Sequence, residues 1–178
     1  MDSGKVPSKE ECLTILKKYN TPLQVIQHCL TVTKIVEEFI SEINNINNEL
    51  VVAGAMLHDI GRSIDHTIFH AVKGVEILKE ENLDTRILSI VRNHIGTGIE
   101  KEEAIKLGLP PEDYIPQTYE EILVSYSDNL AFGKKKRSFD EALNEFIDKF
   151  GSKSNIVKRF YEHKEIIEKL RRIGKKKS

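Results

Sequence analysis

The segment Ala53-Gly54-Ala55-Met56-Leu57-His58-Asp59-Ile60-Gly61-Arg62 constrains this chain more than any other. An apolar run too short to span a membrane ends in an imidazole beside a carboxylate, and a glycine then stops it. If the run is a buried helix, both polar groups must be satisfied inside the protein, because burying an unpaired charge costs on the order of several kcal/mol or more. Buried groups of this kind pair with an opposite charge or coordinate a metal ion.

The rest of the chain is suited to burying such a segment. Its 178 residues are enough for one domain with a substantial core, and a content of 39% hydrophobic and 31% charged residues is globular rather than disordered. The start, Met1-Asp2-Ser3-Gly4-Lys5-Val6-Pro7, lacks the apolar region of a secretory signal, and no later stretch is long and apolar enough for a membrane helix. A cytoplasmic location and no membrane partner are therefore expected. Cys12 and Cys29 stand apart, without the spacing of a thiolate zinc site or a disulfide framework, and are expected in the core. A net charge of -1 carries no strong nucleic-acid signal. Two short basic runs, Lys134-Lys135-Lys136-Arg137 and Lys175-Lys176-Lys177, read as a solvated loop and a frayed tail, the first placed where it could rim a cleft. Nothing in the sequence encodes an oligomeric state.

The apolar spacing is helical throughout. Ser8-Lys9-Glu10-Glu11 has the form of a capping box, and Pro22 suits the first turn of the next helix. From there Leu23, Ile26, Cys29, Leu30, Thr33, Val36, Phe39, Ile40 and Ile43 recur at three- and four-residue steps, with His28 among them. Asn48 or a neighbour caps the helix that leads to His58-Asp59, and Asp84 caps the helix that leads to His94. His70 and Lys73 lie near the start of the helix between these two. Gly96 and Gly98 end the His94 helix. Thr118-Tyr119-Glu120-Glu121 opens the helix of Asp128, and Ser138 with Glu141 opens the first of two C-terminal helices. Without strand alternation of useful length, the fold class is all-α, a single-domain bundle of about eight helices over residues 1–178.

His28, His58, Asp59, His70, His94 and Asp128 thus fall on different helices or helix ends. Helical bundles build metal sites from inward-facing side chains of several helices, so ligands distant in sequence can converge. Singly, each histidine reads more simply as a hydrogen-bonded core residue. The adjacent pair is different, because one carboxylate can offer an oxygen to each of two ions while the neighbouring imidazole completes one of them.

This arrangement resembles the HD-domain superfamily of metal-dependent phosphohydrolases, an all-α family with the order His, His-Asp, distal Asp. Val25-Ile26-Gln27-His28-Cys29-Leu30-Thr31-Val32 looks like its first-histidine helix, Leu57-His58-Asp59-Ile60-Gly61 is the HDIG signature, and Ser125-Tyr126-Ser127-Asp128-Asn129-Leu130 resembles the last-aspartate helix. His70-Ala71-Val72-Lys73-Gly74-Val75-Glu76-Ile77-Leu78 and Ile90-Val91-Arg92-Asn93-His94 look like segments of the small stand-alone binuclear branch. The resemblance covers residues 20–132, and 138–178 form a helical extension. It implies one ion on His28, His58, Asp59 and Asp128 and a second on Asp59, His70 and His94, with Asp59 bridging. His66 is a spare ligand for the second ion, and His163 is expected on the surface. The segment His94-Ile95-Gly96-Thr97-Gly98 lacks the double histidine and GYP signature of the HD-GYP enzymes, which argues against cyclic-dinucleotide cleavage.

The resemblance implies hydrolysis of a phosphoester or phosphoanhydride in a small, nucleotide-like molecule by a metal-activated hydroxide. Mixed imidazole and carboxylate ligation suits iron, manganese, zinc or nickel. Asp59 would hold the ions, while Arg62 and Lys73, with Lys134 or Lys135 as further candidates, would supply positive charge to the phosphate. Two other classes share the ligand order: the mixed-valent di-iron oxygenases of the same superfamily, and a non-catalytic nucleotide-binding module. Retention of the full ligand order disfavours the second of these.

Overall fold

The helix that ends at His58 runs through the middle of the molecule, and the others are laid around it. The computed structural model describes residues 4–175. Met1–Ser3, and Lys176 and Lys177 of the basic C-terminal run, lie outside the described residues. Nine α-helices are present among the described residues: α1 (Lys9–Lys18), α2 (Leu23–Ile40), α3 (Asn48–Leu57), α4 (His70–Lys79), α5 (Thr85–Asn93), α6 (Lys101–Lys106), α7 (Tyr119–Leu130), α8 (Phe139–Phe150) and α9 (Asn155–Lys175). A 3-10 turn, Ile60–Ser63, follows α3, and a two-stranded hairpin of β1 (Ala131–Phe132) and β2 (Lys135–Lys136) follows α7.

Local chemistry sets these boundaries. Ser8 and Ser138 form full capping boxes with Glu11 and Glu141, and Asn47 rather than Asn48 caps α3 through the Leu50 amide. Pro22 stands one position earlier than expected, as the N-cap of α2. Gly133 supplies the positive φ that the tight hairpin turn requires. The short helix α6 ends just before Gly108, where the sequence breaks it, and sits over a small cluster of Ile99, Ala104, Leu109 and Tyr114.

α3 packs against α1, α2, α5 and α7. It can do so because Ala53, Gly54 and Ala55 keep it narrow; a Cβ at Gly54 would meet the Ile90 side chain at 2.7 Å. Cys12 and Cys29 are buried in the core as expected, and burial pushes the Cys12 thiol up to about 12. The C-terminal helices join the same core through aromatic rings, with Phe139 stacked on Phe160 at 4.8 Å and Phe146 edge-on to it at 5.0 Å. Among the described residues no helix is long and apolar enough to cross a membrane.

Two expectations are corrected. Leu23 and Leu30 share the apolar spacing of α2 but face outward, because the helix buries the face carrying Val25, Ile26, Cys29, Val32, Val36 and Phe39. His163 is buried, because it falls between Phe160 and Ile167 on the inner stripe of α9. Burial, reinforced by the Arg159 charge, lowers the His163 imidazole to about 4. The unfolded chain therefore takes up a proton near pH 6.5 that the folded chain refuses until about pH 4. Stability contributed by neutral His163 is complete above this window and lost as pH falls through it. Wild type should lose about 2 kcal/mol more than His163→Leu between pH 7.5 and pH 5 in urea unfolding; equal losses would refute the assignment.

Candidate metal centre

The polar cluster forms where five chain segments meet at the end of α3. α3 delivers His58 as its C-cap and Asp59 just beyond. α2 brings His28, α4 begins at His70, α5 is capped at its C-terminus by His94, and α7 brings Asp128. The 3-10 turn reaches α4 only because residue 61 is glycine: a Cβ there would lie 1.8 Å from the His70 carbonyl oxygen.

The two oxygens of Asp59 face different groups. Oδ1 lies 3.1 Å from His70 Nε2 and 3.5 Å from His94 Nε2. Oδ2 lies 3.9 Å from His28 Nε2 and 3.8 Å from His58 Nε2. Asp128 Oδ1 adds contacts of 2.8 Å to His28 Nε2 and 3.6 Å to His58 Nε2. The ligating atoms of His28, His58 and Asp128, and those of His58, Asp59 and His94, are close enough to share an ion. His70 joins the second group through His94, at 3.1 Å between the two Nε2 atoms.

Hydrogen bonding behind the rings indicates what the cluster is built for. His58 Nδ1 faces the Ala55 carbonyl at 2.8 Å, His70 Nδ1 that of Thr67 at 2.6 Å, and His94 Nδ1 that of Val91 at 2.7 Å. A carbonyl only accepts, so each Nδ1 donates, and in the neutral ring Nε2 then carries a lone pair. Those lone pairs converge on one another and on carboxylate oxygens. His58 Nε2 and Asp59 Oδ1 are fully buried and have no hydrogen-bond partner. Converging buried acceptors without protein donors suit a cation, and a carbonyl behind an imidazole is the usual support of a metal ligand. The donor set fits a divalent metal.

The local field agrees. Burial acts to lower His58, but Cys29, Asp59 and Asp128 outweigh it and hold the group well above the ordinary imidazole range. Burial acts to raise Asp59 and Asp128, but His58 together with His70 and His94 in one case, and His58 together with His28 in the other, holds both well below the ordinary carboxylate range. His94 is lowered, chiefly by burial. The pocket thus attracts positive charge around two ionised carboxylates.

His70, His94 and His58 are buried, whereas the His28 side chain is 29% exposed and that of Asp128 19%. The centre therefore opens on the side of α2, where Gln24, Val25, His28, Asp59 and Arg62 line a cleft of about 300 Å³. Arg62 Nε bonds Asp59 Oδ2 at 2.8 Å and its Nη1 bonds the His66 carbonyl at 3.1 Å, fixing a guanidinium at the cleft wall. Lys73 is not among the residues lining the cleft; its ammonium lies 2.8 Å from Glu76. His66 is exposed, and its contribution is the carbonyl that holds Arg62. Lys136 and Arg137 are paired with Glu38 and Glu145.

One supporting group escaped the sequence reading. The Glu121 amide donates the capping hydrogen bond to Thr118 Oγ1, but its Oε2 is turned elsewhere, accepting from Asn93 Nδ2 at 2.8 Å and from the Gln117 amide at 3.0 Å. Ser125 and Asn129 donate to the Gly96 carbonyl at 2.8 and 2.6 Å. Glu121, Ser125 and Asn129 recur every four residues on one face of α7 and clamp the segment around His94. That polar i, i+4, i+8 row on an otherwise apolar helix was the available signal.

Comparison with known proteins gives the same outline. The family model described as HD domain matches residues 25–133. The uncharacterized protein MJ0778 of Methanocaldococcus jannaschii is 44% identical over 154 residues, which are 84% of this chain and 90% of that protein. The tRNA (cytidine(56)-2'-O)-methyltransferase of Thermoplasma volcanium is 43% identical over 141 residues, 79% of this chain but 41% of the methyltransferase, so the chain spans less than half of that relative. Among solved structures, the HD domain of the L. monocytogenes phosphodiesterase PgpH in complex with cyclic-di-AMP superposes with a TM-score of 0.55 at 21% identity, over 90% of this chain and 96% of that one. At that identity the likeness is one of fold.

Proposed function

This chain belongs to the HD-domain family, and from that premise we propose that it is a divalent-metal-dependent phosphohydrolase acting on a phosphoester or phosphoanhydride of a nucleotide-like molecule. The observation that carries the reading is the division of Asp59, with Oδ1 turned to His70 and His94 and Oδ2 turned to His28 and His58. In this reading His28, His58, Asp59 and Asp128 would hold one ion, and Asp59, His70 and His94 a second. α8 and α9 would close the same unit, making the whole chain one HD domain.

A bound pair of such ions supplies Lewis acidity toward a phosphoryl oxygen and lowers the pKa of water toward neutrality. The chain's own groups do the rest. The Nδ1 bonds of His58, His70 and His94 fix each ring with Nε2 inward. Arg62, held by Asp59 and the His66 carbonyl, offers its remaining N–H donors to a phosphate oxygen in the cleft, in the planar geometry that suits such oxygens. Lys73 is engaged with Glu76 and is assigned no step.

The test is a panel of dinucleoside polyphosphates, cyclic phosphates and mononucleotides, assayed after anaerobic reconstitution with iron, manganese, zinc or nickel. Metal-dependent release of phosphate or of a nucleotide product is expected, with Arg62→Ala about tenfold or more weaker in kcat/KM, as lost charge-assisted hydrogen bonds would give. No cleavage with any metal would refute the reading. A second reading rests on the two-histidine, one-carboxylate set of His70, His94 and Asp59, which also suits iron that activates dioxygen. Oxygen uptake by the iron-loaded chain without phosphoester cleavage would favour it.

A further inference from the structure

The hairpin that follows Asp128 is unused by the metal centre and is built of groups that recognise a polyanion carrying flat rings. Phe132 is 68% exposed in a strand whose pairing partner is β2, where it stands opposite Lys135. One side of its ring receives the Arg137 guanidinium at 5.7 Å, and the rest is open. Lys134 and Lys135 stand beside it, exposed, with no ion pair among the described residues. Two acidic groups that reach the hairpin are paired within the protein: Glu38 with Lys136, and Glu145 with Arg137 and Lys149.

The hairpin leads toward the cleft. Phe132 lies four residues beyond Asp128, at most about 14 Å of chain. The Lys136–Glu38 pair ties β2 to the outer face of α2. On that face Glu38, Lys34 and Leu30 follow at four-residue steps and Leu23 continues the row to the first turn of α2, the end of the helix whose Gln24 and His28 line the cleft. Lys34 is exposed without an ion pair among the described residues, and Leu30 and Leu23 present the apolar surface that the helix leaves outside the core. Unpaired lysines alternating with exposed apolar and aromatic groups, and ending at a phosphoester site, match the chemistry of single strands, which bind by stacked bases and phosphate contacts.

We propose that the β1–β2 hairpin and the outer row of α2 form a track for a single-stranded oligonucleotide, with Phe132 stacking a base and Lys34, Lys134 and Lys135 contacting the backbone, that leads a phosphoester into the metal cleft. This deepens the phosphohydrolase reading and rests on it for the cleaved end only. A whole-chain net charge of -1 does not oppose the track, because the positive groups are clustered locally.

The test measures fluorescence anisotropy of a ten-nucleotide single-stranded RNA with hydrolysis-resistant phosphorothioate linkages, on the metal-loaded full chain over a range of salt concentrations. Lys134→Ala/Lys135→Ala should weaken binding roughly tenfold at low salt and flatten the log–log salt slope by about 1.4. Phe132→Ala should weaken it at least about fivefold with the slope unchanged. A charge-matched control, Lys17→Ala/Lys153→Ala, removes two exposed lysines outside the track and should bind as wild type does. Absence of RNA binding, hairpin variants that bind like the control, or a duplex bound as tightly as the single strand would each overturn the track. Cleavage of mononucleotide substrates, measured separately, reports on the metal centre, so either reading can fail alone.

Discussion

Asp59→Ala is expected to leave the purified chain without either bound ion and to lower phosphoester hydrolysis on the order of a thousandfold or more, the loss of several kcal/mol of charge stabilisation. The reason is geometric. Asp59 is the residue whose carboxylate reaches both histidine groups, at 3.1 Å to His70 Nε2 through Oδ1 and 3.8 Å to His58 Nε2 through Oδ2. Removing it leaves the second group with two imidazoles and no negative charge. His94→Ala should instead leave one ion, since His28, His58, Asp59 and Asp128 are untouched. Asp59→Asn separates a structural from a ligating role. Its amide oxygen can still accept from Arg62, but the negative charge that the surrounding imidazoles favour is gone, so this near-isosteric variant should fold while binding no metal. Elemental analysis giving two ions for Asp59→Ala, or a folded Asp59→Asn that binds both ions as wild type does, would contradict the assignment.

The convergence behind that prediction was partly legible before any fold was known. Polar residues on otherwise apolar helices must find partners when buried, and His28, His58, Asp59, His70, His94 and Asp128 are brought together by the fold. Helix starts were legible where capping is a local bargain between a side chain and amides three residues away, as at Ser8 and Ser138. Direction was harder to read. Leu23 and Leu30 share the spacing of the buried residues of α2, yet which edge of an apolar stripe is covered depends on the neighbouring helices. His163 sits at the correct spacing between Phe160 and Ile167 to be buried, and only its polarity suggested the surface. Lys73 follows His70 by three residues and so shares its side of the helix, but its ammonium pairs with Glu76 at 2.8 Å and does not line the cleft. Glu121 served two purposes, and the capping pattern concealed its bond to Asn93.

The glycine of the HDIG segment carries the other large expected effect. A Cβ at Gly61 would meet the His70 carbonyl oxygen at 1.8 Å and the Gly74 amide nitrogen at 2.5 Å. Both obstacles are backbone, so no rotamer change relieves them; the 3-10 turn and α4 must separate by more than an ångström. α4 begins with His70, whose Nε2 lies 3.1 Å from Asp59 Oδ1, so the separation that admits the methyl group also pulls a ligand from the shared carboxylate. Gly61→Ala should therefore cost roughly 3 kcal/mol or more, a fall of about 6–12 °C in Tm for a chain of this size, and should weaken retention of the second ion. Gly74→Ala is the graded comparison. There the nearest obstacle is a Val91 methyl at 2.7 Å, with the Gly61 amide nitrogen at 3.4 Å. A side chain can yield, so about 1–2 kcal/mol is expected and the ion should stay. Calorimetry with metal analysis of both variants decides the point: equal shifts in Tm, or a Gly61→Ala protein that keeps both ions at wild-type affinity, would mean that close contact between the turn and α4 does not position His70.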